Sequence, residues 1–398
     1  MAAAENAIAL CAVGAEKTVS NEIKKLGLSV IESGYGRVRF KADIKGLYKA
    51  LIGLRAADKV LLEAACFEGT DFDALYDGVD EVPWEDYIPA RLGIKVAKVR
   101  TNRSQLGAET SIQGIVHKAA AERLCSKRRI RRLSESPDDA EIRIYIEKDK
   151  VSVLLDLTGE PLFKRGYRVR GGGSAPLRET TAAALILHSL WKRKFPLYDP
   201  FCGSGTIIIE AAMYAWDIAP GLGRSFAIDK LLLGNRDTEN SVREEFLKKI
   251  DFSRLIRMGG SDSDATIAAQ ARSNIERAVS MVRQASAAGA VSGAAQFNVL
   301  PMEEALPGLN GIPMGDGESS PAGFIITNPP YGRRLGDLES AEKTYRDMAC
   351  LIDNFPGWKL GVITEHTGFE SFFGRKADSC REISNGAVRS YFYQYEKL

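Results

Sequence analysis

A glycine-containing turn, residues 199–206, joins a short apolar run to a helical pattern. Gly203 and Gly205 allow the backbone to turn tightly and let a ligand approach without a Cβ in the way. Asp199 precedes them as an acceptor for an ammonium group, and Thr206 opens a helix whose first N–H groups are free. Ile208 stands where a dinucleotide fingerprint has its third glycine, and the P-loop lysine is missing. The turn therefore argues against NAD and nucleoside triphosphates, with a plain tight turn as the alternative.

A second acidic segment, Gly260-Ser-Asp-Ser-Asp264, ends the next strand-like run. An acid at the tip of the second strand of a nucleotide-binding sheet is placed to hold ribose hydroxyls. Asp262 and Asp264 are the candidates. They follow the glycine turn by about 60 residues rather than the usual ~20, so an insertion over roughly 217–255 must intervene. The alternative for this segment is a solvated turn or a helix cap.

The most specific segment is Thr327-Asn328-Pro329-Pro330-Tyr331, directly after an apolar run. Two consecutive prolines fix an extended backbone and remove two N–H donors. The amide oxygen of Asn328 and the carbonyl of Pro329 can then accept both hydrogens of one exocyclic NH₂ group. The Tyr331 ring offers a flat surface on which a base can stack.

The elements that must position these segments alternate between strand and helix from about residue 174 to the end. This alternation predicts a doubly wound parallel α/β sheet. Ser174 is predicted to cap a helix that runs to about residue 194. Asn385 and Gly386, between two strand-like runs, predict an antiparallel terminal hairpin. The Gly- and Ala-rich segments 284–295 and 307–322 are predicted loops, and 170–174 a hinge.

The N-terminal half divides into two predicted α+β parts. Residues 1–45 read as strand, helix and two strands around a glycine turn, and residues 46–157 add a helix, strands and a second hairpin. Residues 158–398 form the third part.

Composition excludes several classes of protein. The 398 residues suit two or three domains, and 54 basic against 52 acidic residues leave a net charge of +2. The absence of an apolar run of about 18–20 residues predicts no membrane span. Six scattered cysteines and three histidines predict no metal site, and reduced thiols suit a cytoplasmic protein.

The three motifs, in this order, resemble those of class I S-adenosylmethionine-dependent amino-methyltransferases. Phe163-Lys-Arg-Gly-Tyr-Arg168, Ala175-Pro-Leu-Arg-Glu-Thr180 and the tail 374–386 extend the resemblance to the THUMP-containing ribosomal RNA large subunit methyltransferase L family. It covers essentially the whole chain. It implies a ferredoxin-like unit at 1–45, a THUMP domain at 46–157 and a methyltransferase domain at 158–398. The implied product is N2-methylguanosine in 23S rRNA.

The resemblance also implies roles for individual residues. Asp199, Gly203, Gly205 and Thr206 would cradle the methionine part of S-adenosylmethionine. Asp262, with Asp264 as alternate, would hold the ribose. The implied catalytic residues are Asn328, Pro329 and Tyr331. The third-strand Asp that contacts adenine in the family is missing, which leaves Asn298, Glu303 or the backbone as substitutes.

RNA binding is predicted from three basic runs. They lie on both sides of the junction between the second part of the chain and the third, which begins at residue 158. Each run alone is typical of a solvated face, but together they predict a phosphate-tracking surface. They comprise Lys95, Lys98, Arg100 and Arg103; Lys127, Arg128, Arg129, Arg131 and Arg132; and Lys164, Arg165 and Arg168.

Other functions remain open at this point. A tRNA guanine-N2 methyltransferase shares the THUMP domain, and DNA or protein-glutamine amino-methyltransferases share the Asn-Pro-Pro-Tyr motif. An RNA-binding assembly factor with a decayed catalytic site is a third hypothesis, motivated by the missing Asp.

Overall fold

The computed structural model describes residues 5–133, 138–168, 177–254, 257–283, 296–299, 323–331, 337–386 and 388–398. Its architecture rests on two seven-stranded sheets with helices packed against them. The predicted hinge at 170–174 and the predicted loops at 284–295 and 307–322 lie outside these residues. No described helix is both long and apolar enough to cross a membrane.

The first sheet is built by the N-terminal half of the chain. Its elements are β1 (Glu5–Cys11), α1 (Glu16–Lys25), β2 (Ser29–Gly34), β3 (Arg37–Ala42), α2 (Ile44–Gly53), β4 (Ala57–Glu68), α3 (Phe72–Asp80), α4 (Trp84–Tyr87), β5 (Ile94–Asn102), α5 (Glu109–Arg128), β6 (Ala140–Glu147) and β7 (Lys150–Asp156). The strand order is β2-β3-β1-β4-β7-β6-β5. Neighbouring strands are antiparallel, apart from the parallel pair β5 and β6.

Alternation along the strands gives this sheet two different faces. In β1, Ala7 and Ala9 belong to the large core that Val19 and Ile23 of α1 help to fill. Ile8 lies between them and points to the opposite face, where it packs in a small separate cluster. The helices thus cover one face, and the other carries only a small apolar centre.

The second sheet is built by the C-terminal half. Its elements are α6 (Glu179–His188), β8 (Leu197–Asp199), α7 (Thr206–Ala215), α8 (Arg236–Leu247), β9 (Met258–Asp262), α9 (Ala265–Arg283), β10 (Gln296–Val299), β11 (Phe324–Thr327), α10 (Asp337–Asp347), α11 (Cys350–Asn354), β12 (Lys359–Thr364), α12 (Phe369–Phe373), β13 (Ser379–Asn385) and β14 (Val388–Tyr395).

The strand order β10-β9-β8-β11-β12-β14-β13 confirms the predicted doubly wound sheet. The five neighbouring strands β10, β9, β8, β11 and β12 pair in parallel. Strand β14, in contrast, is antiparallel to both β12 and β13. The predicted terminal hairpin is present: Asn385 ends β13 opposite Val388, and Gly386 lies in the turn. Gly386 has a φ of +68°, which glycine adopts without a steric penalty.

The prediction for α6 was wrong at both ends. The helix begins at Glu179, after Arg178 in extended conformation and without a side-chain cap; Ser174 lies outside the described residues. It ends at His188 because the Ser189 hydroxyl donates to the carbonyl of Ile186 and Leu190 has a φ of +56°. A left-handed residue cannot continue an α-helix.

The boundary expected near residue 45 falls inside the first sheet. Strands β1 and β3 precede it and β4 follows it, yet β4 pairs directly with β1. Residues on both sides of position 45 therefore share one sheet and one core. The three-part division of the chain remains a prediction.

Candidate active site

The carboxyl ends of three adjacent parallel strands bring the predicted chemical segments together. β8 lies between β9 and β11. Asp199 ends β8, Asp262 ends β9, and Asn328 directly follows β11. Parallel strands end at one edge of their sheet, and ligands of doubly wound sheets bind outside that edge. The segments are therefore neighbours in space although they are separated by long stretches of chain.

The glycine turn is held in a conformation that suits a ligand. Gly203 and Gly205 have φ angles of +52° and +83°. A Cβ on Gly203 would meet no described atom within 4 Å, so this glycine borders open space. Asn274 of α9 donates to the carbonyl of Ser204 over 3.0 Å, which fixes the turn from behind.

Asp262 accepts hydrogen bonds from the glycine turn and from the segment that leads into α9. Its carboxylate accepts the Gly203 N–H at 3.1 Å and the Asp264 N–H at 3.0 Å. Asp264 is exposed, and its carboxylate accepts the N–H of Thr266 at 2.8 Å. Asp264 thus performs the helix-capping role that was the alternative for this segment. Asp262 is the carboxylate next to the glycine turn.

Asp199 links the glycine turn to the Asn-Pro-Pro-Tyr segment. It is buried, and its carboxylate accepts from the Thr327 hydroxyl at 2.6 Å and from the Phe201 N–H at 3.1 Å. Burial raises the pKa of Asp199 to about 7 against these two bonds, and nearby Asp262 adds to the rise. The sequence analysis placed Thr327 in the third motif but gave it no role of its own.

The Asn-Pro-Pro-Tyr segment is anchored by a tyrosine that was not predicted. The Tyr345 hydroxyl of α10 lies 3.0 Å from the Pro330 carbonyl and 3.0 Å from the Thr364 hydroxyl. Within the segment, the Tyr331 hydroxyl donates to the amide oxygen of Asn328. The predicted acceptor of Asn328 is thus engaged by a neighbour of the same motif.

Cys202 and His366 contribute no evident chemistry. Cys202 lies inside the glycine turn, where burial raises the pKa of its thiol far above the usual value. The His366 ring packs edge-on against Tyr345, with ring centroids 5.6 Å apart. Among the described residues, no group of three or more His, Cys, Asp or Glu side chains is arranged to hold a metal ion.

These residues fit the methionine and ribose parts of S-adenosylmethionine. The open space at Gly203 accommodates close approach of a ligand, and the N-terminus of α7 directs free N–H groups toward a carboxylate. Asp262, half-buried beside the turn, can accept from vicinal hydroxyls. The position of the missing third-strand Asp falls near β10, whose side chains lie outside the described part of the chain.

The predicted RNA-binding side chains divide into an exposed group and a group that is half-buried or buried. The exposed ones are Lys95, Lys98, Arg100, Arg103, Lys127, Arg129, Arg131, Arg132 and Lys164. Arg128 is half-buried and donates to the carbonyl of Ile88 at 2.7 Å. Arg168 donates to the Thr206 hydroxyl at 2.9 Å, at the start of α7.

Arg165 is a correction to the predicted RNA surface. It is 3% exposed, and its guanidinium lies 3.3 Å from the Glu210 carboxylate of α7. It also donates to the backbone carbonyls of Arg55 and Leu162. A guanidinium enclosed in this way has no surface to offer an RNA phosphate.

Two family models match the chain. One, described as the RMKL-like methyltransferase domain of UPF0020, matches residues 165–290 and 312–393. The other, described as the RlmL ferredoxin-like domain, matches residues 6–61 and so extends past the predicted boundary at 45.

Three known proteins are similar over nearly the whole chain. A putative RNA methyltransferase, YpsC, of Bacillus subtilis is 32% identical, covering 98% of this chain and 95% of the relative. The ribosomal RNA large subunit methyltransferase K/L of Cellvibrio japonicus is 31% identical, covering 96% of this chain and 50% of the relative. The crystal structure of SMU.472, a putative methyltransferase complexed with SAH, is 33% identical with a TM-score of 0.84, covering 100% and 99%.

The fold and the site together define a class I S-adenosylmethionine-dependent methyltransferase. The chain belongs to the RMKL-like methyltransferase family, which confirms the family expected from its motifs, and its N-terminal part is ferredoxin-like. The chain spans about half the length of the K/L relatives that it matches.

Proposed function

We propose that this chain transfers the methyl group of S-adenosylmethionine to the exocyclic N2 of a guanosine in 23S rRNA or its precursor. The observation that carries the proposal is the placement of Asn328 and Pro329 at the end of β11, joined to the glycine turn through the bond between Thr327 and Asp199. An acceptor pair for an amino group thus adjoins a cradle for the cofactor.

The cofactor contacts follow from the same edge of the sheet. Asp199, Gly203, Gly205 and Thr206 would surround its methionine part, and Asp262 would accept from its ribose hydroxyls. Asp264 is the weaker alternate because its carboxylate already caps α9. When bound, the cofactor supplies a methyl group on a sulfonium, which is activated without a metal or a protein nucleophile.

The work of the chain's own residues is to position the amine. The Asn328 amide oxygen and the Pro329 carbonyl would each accept one N–H of the guanine amino group. Two such bonds turn the nitrogen lone pair outward and favour a more nucleophilic, tetrahedral nitrogen. The nitrogen forms its bond to the methyl carbon as the carbon–sulfur bond breaks, and one amine proton then leaves to water.

Tyr331 would change partners when the base enters. Its hydroxyl now donates to Asn328, so the incoming amino group must displace it to reach the same oxygen. The released ring can then stack on the guanine. Stacking compensates part of the free energy lost when a base is flipped out of an RNA helix.

Two observations support an RNA substrate: the exposed basic side chains of the N-terminal half and the names of the relatives. Two relatives are named as RNA methyltransferases, and the K/L relatives are named for large-subunit rRNA. We assign the part of residues 46–157 that follows the ferredoxin-like match, which ends at residue 61, to a THUMP domain that reads RNA together with the ferredoxin-like unit. Such a substrate places the enzyme in the cytoplasm.

Methylation with labelled cofactor tests this proposal. The protein is incubated with tritiated S-adenosylmethionine and either undermodified 23S rRNA or total tRNA. We expect label in 23S rRNA. Label in tRNA alone would favour a tRNA methyltransferase, and absence of cofactor binding by calorimetry would favour the RNA-binding assembly factor.

A further inference from the structure

A groove of about 910 Å³ opens on the face of the first sheet that α1 does not cover. Residues of β1, β3, β4, β5 and β6 line it, with Lys98, Arg100 and Tyr145 among them. Phe163, which follows β7, and Arg178, which precedes α6, also line it. Ser384 and Gly386 of the terminal hairpin also line it. The groove therefore joins the two sheets.

The lining is strongly basic. Six basic side chains line the groove against two acidic ones. Four of the six have carboxylate partners, as in the pair of Arg178 with Asp58 at 3.3 Å. Lys98 and Arg100 are exposed, and within the described chain neither lies in ion-pair range of a carboxylate. These two cations are available for an anionic ligand.

Aromatic rings lie beside these cations. Tyr145 stands directly opposite Arg100 in the pairing of β5 with β6, so the two side chains share a face. Tyr35 at the rim is 83% exposed. The Arg178 guanidinium lies over the Phe163 ring, 4.6 Å from its centroid. Cations alternating with flat rings are the equipment by which proteins hold single-stranded nucleic acid.

The groove reaches the edge of the sheet that carries the candidate active site. Thr364, at the carboxyl end of β12, pairs with Tyr391, so the earlier residues of β14 extend beyond that edge. The turn at Gly386 therefore lies at the same edge as Asn328. The sideways offset between them is two to three strand spacings, roughly 10–15 Å, and the residues of β14 beyond Thr364 carry the turn roughly 10–15 Å further along the strand direction. One RNA strand spans this distance with a few nucleotides.

We propose that this groove binds a single-stranded segment of the RNA substrate next to the target nucleotide. Lys98 and Arg100 contact phosphates, and Tyr145 stacks on a base. The proposal rests on the proposed function in taking the substrate to be RNA. It adds a binding path, along one face of the first sheet and past the hairpin turn, into the active site.

Binding of RNA by a charge-removing variant tests the proposal. The double variant Lys98→Ala/Arg100→Ala is compared with Lys24→Ala/Lys25→Ala, which removes two exposed cations from α1 on the opposite face. The probe is a fluorescent single-stranded RNA oligonucleotide, titrated at several salt concentrations. We expect the groove variant to bind about tenfold more weakly near 0.1 M salt, with its salt slope lowered by about 1.4. The control variant should match the wild type.

Three outcomes are distinct. Equal weakening by both variants, or an unchanged slope for the groove variant, would overturn the groove. Tighter binding of a polyglutamate peptide than of RNA, lost in the groove variant, would assign the groove to an acidic protein partner instead. If RNA binding depends on the groove but no methylated guanosine forms, the proposed function is refuted. The proposal that the groove binds RNA is then still supported.

Photo-crosslinking of the unaltered protein gives a second readout that does not depend on folding of a variant. RNA containing 4-thiouridine is bound and irradiated, and the adducts are mapped to peptides. An adduct on the peptide that contains Tyr145 is expected. Adducts confined to peptides outside the groove would contradict the proposal.

Discussion

At the residue scale, the bond between Thr327 and Asp199 is the contact that unites the site. It joins the residue before Asn328 to the residue that opens the glycine turn, over 2.6 Å. The bond is buried, so it is shielded from competing water. The glycine turn and the Asn-Pro-Pro-Tyr segment are therefore coupled in position. Such coupling suits a reaction in which an amine and a methyl group must be aligned.

The first prediction concerns Tyr331. Tyr331→Phe removes the hydroxyl that occupies the Asn328 oxygen but keeps the stacking ring. We expect it to retain kcat within about threefold, whereas Tyr331→Ala loses stacking worth about 1–3 kcal/mol, or roughly 5- to 150-fold in kcat/KM. Steady-state methylation of an rRNA fragment measures both. Equal losses in the two variants would show that the hydroxyl, not the ring, matters.

The second prediction concerns pH. Burial raises the pKa of Asp199 to about 7, so the carboxylate is progressively neutralised below that pH. Its charge would pair with the cofactor ammonium. Affinity should therefore rise from about pH 5.5 to about pH 7.5, by at most tenfold per unit in the acidic part. Calorimetry with S-adenosylmethionine measures this rise.

The matched variant for that titration is Asp199→Asn. It should bind the cofactor weakly across the range and without the rise, because it has no titrating carboxyl at this position. A pH dependence that survives unchanged in this variant would assign the titration to another group.

Much of this site was accessible from sequence because it follows strands. Asp199 and Asp262 each end a strand and Asn328 follows one, and parallel strands place such ends together. The partners of these residues were not accessible. Tyr345 comes from α10, and nothing in its local pattern indicates that its hydroxyl bonds to the Pro330 carbonyl. That bond depends on how α10 packs against the sheet.

At the element scale, the segment just before α6 is tied into the interior by charges. Arg165 pairs with Glu210 of α7, and the Tyr167 hydroxyl donates to the same carboxylate at 3.1 Å. Arg165 also donates to the carbonyl of Arg55, which follows α2. The network thus connects both halves of the molecule to the helix that starts at the glycine turn.

The third prediction follows from this burial. Glu210→Gln leaves the Arg165 charge enclosed without its counter-charge, which should cost about 3–5 kcal/mol of stability. Thermal unfolding without cofactor measures the loss. The control is Glu244→Gln, which breaks an exposed pair with Lys248 on α8 and should cost less than about 1 kcal/mol. Similar melting temperatures for the two variants would contradict the account of the network.

The errors of sequence reasoning at this scale have a common cause. Arg165 was grouped with Lys164 as part of an RNA surface because a basic run shows charge but not direction. The start of α6 was placed at Ser174 because that residue type caps helices, yet the chain at Arg178 is extended. Burial and backbone direction are set by contacts distant in sequence.

At the scale of the whole molecule, the chain is nearly neutral, but groups of exposed basic side chains lie on its N-terminal half. Lys98 and Arg100 lie in the groove, and the exposed run around Arg129, Arg131 and Arg132 follows α5 of the same half. The net charge of +2 does not show this arrangement because it averages over the 54 basic and 52 acidic residues of the whole chain. The sequence predicted the basic runs; their distribution over the surface required the fold.

The fourth prediction concerns the run after α5. Arg129, Arg131 and Arg132 changed together to Ala should weaken RNA binding and lower the salt slope by up to about 2. Arg128 is left unchanged because it supports the carbonyl of Ile88. Binding of an rRNA fragment over a range of salt concentrations measures the slope. An unaltered slope would remove this run from the RNA surface.

The identity of the methylated nucleoside tests the central claim most directly. Undermodified 23S rRNA is treated with the protein and trideuteromethyl-labelled S-adenosylmethionine, digested, and analysed by mass spectrometry. We predict label in N2-methylguanosine, absent when Asn328→Ala replaces the wild type although that variant still binds the cofactor. Label in N6-methyladenosine, or label that persists with Asn328→Ala, would contradict the account.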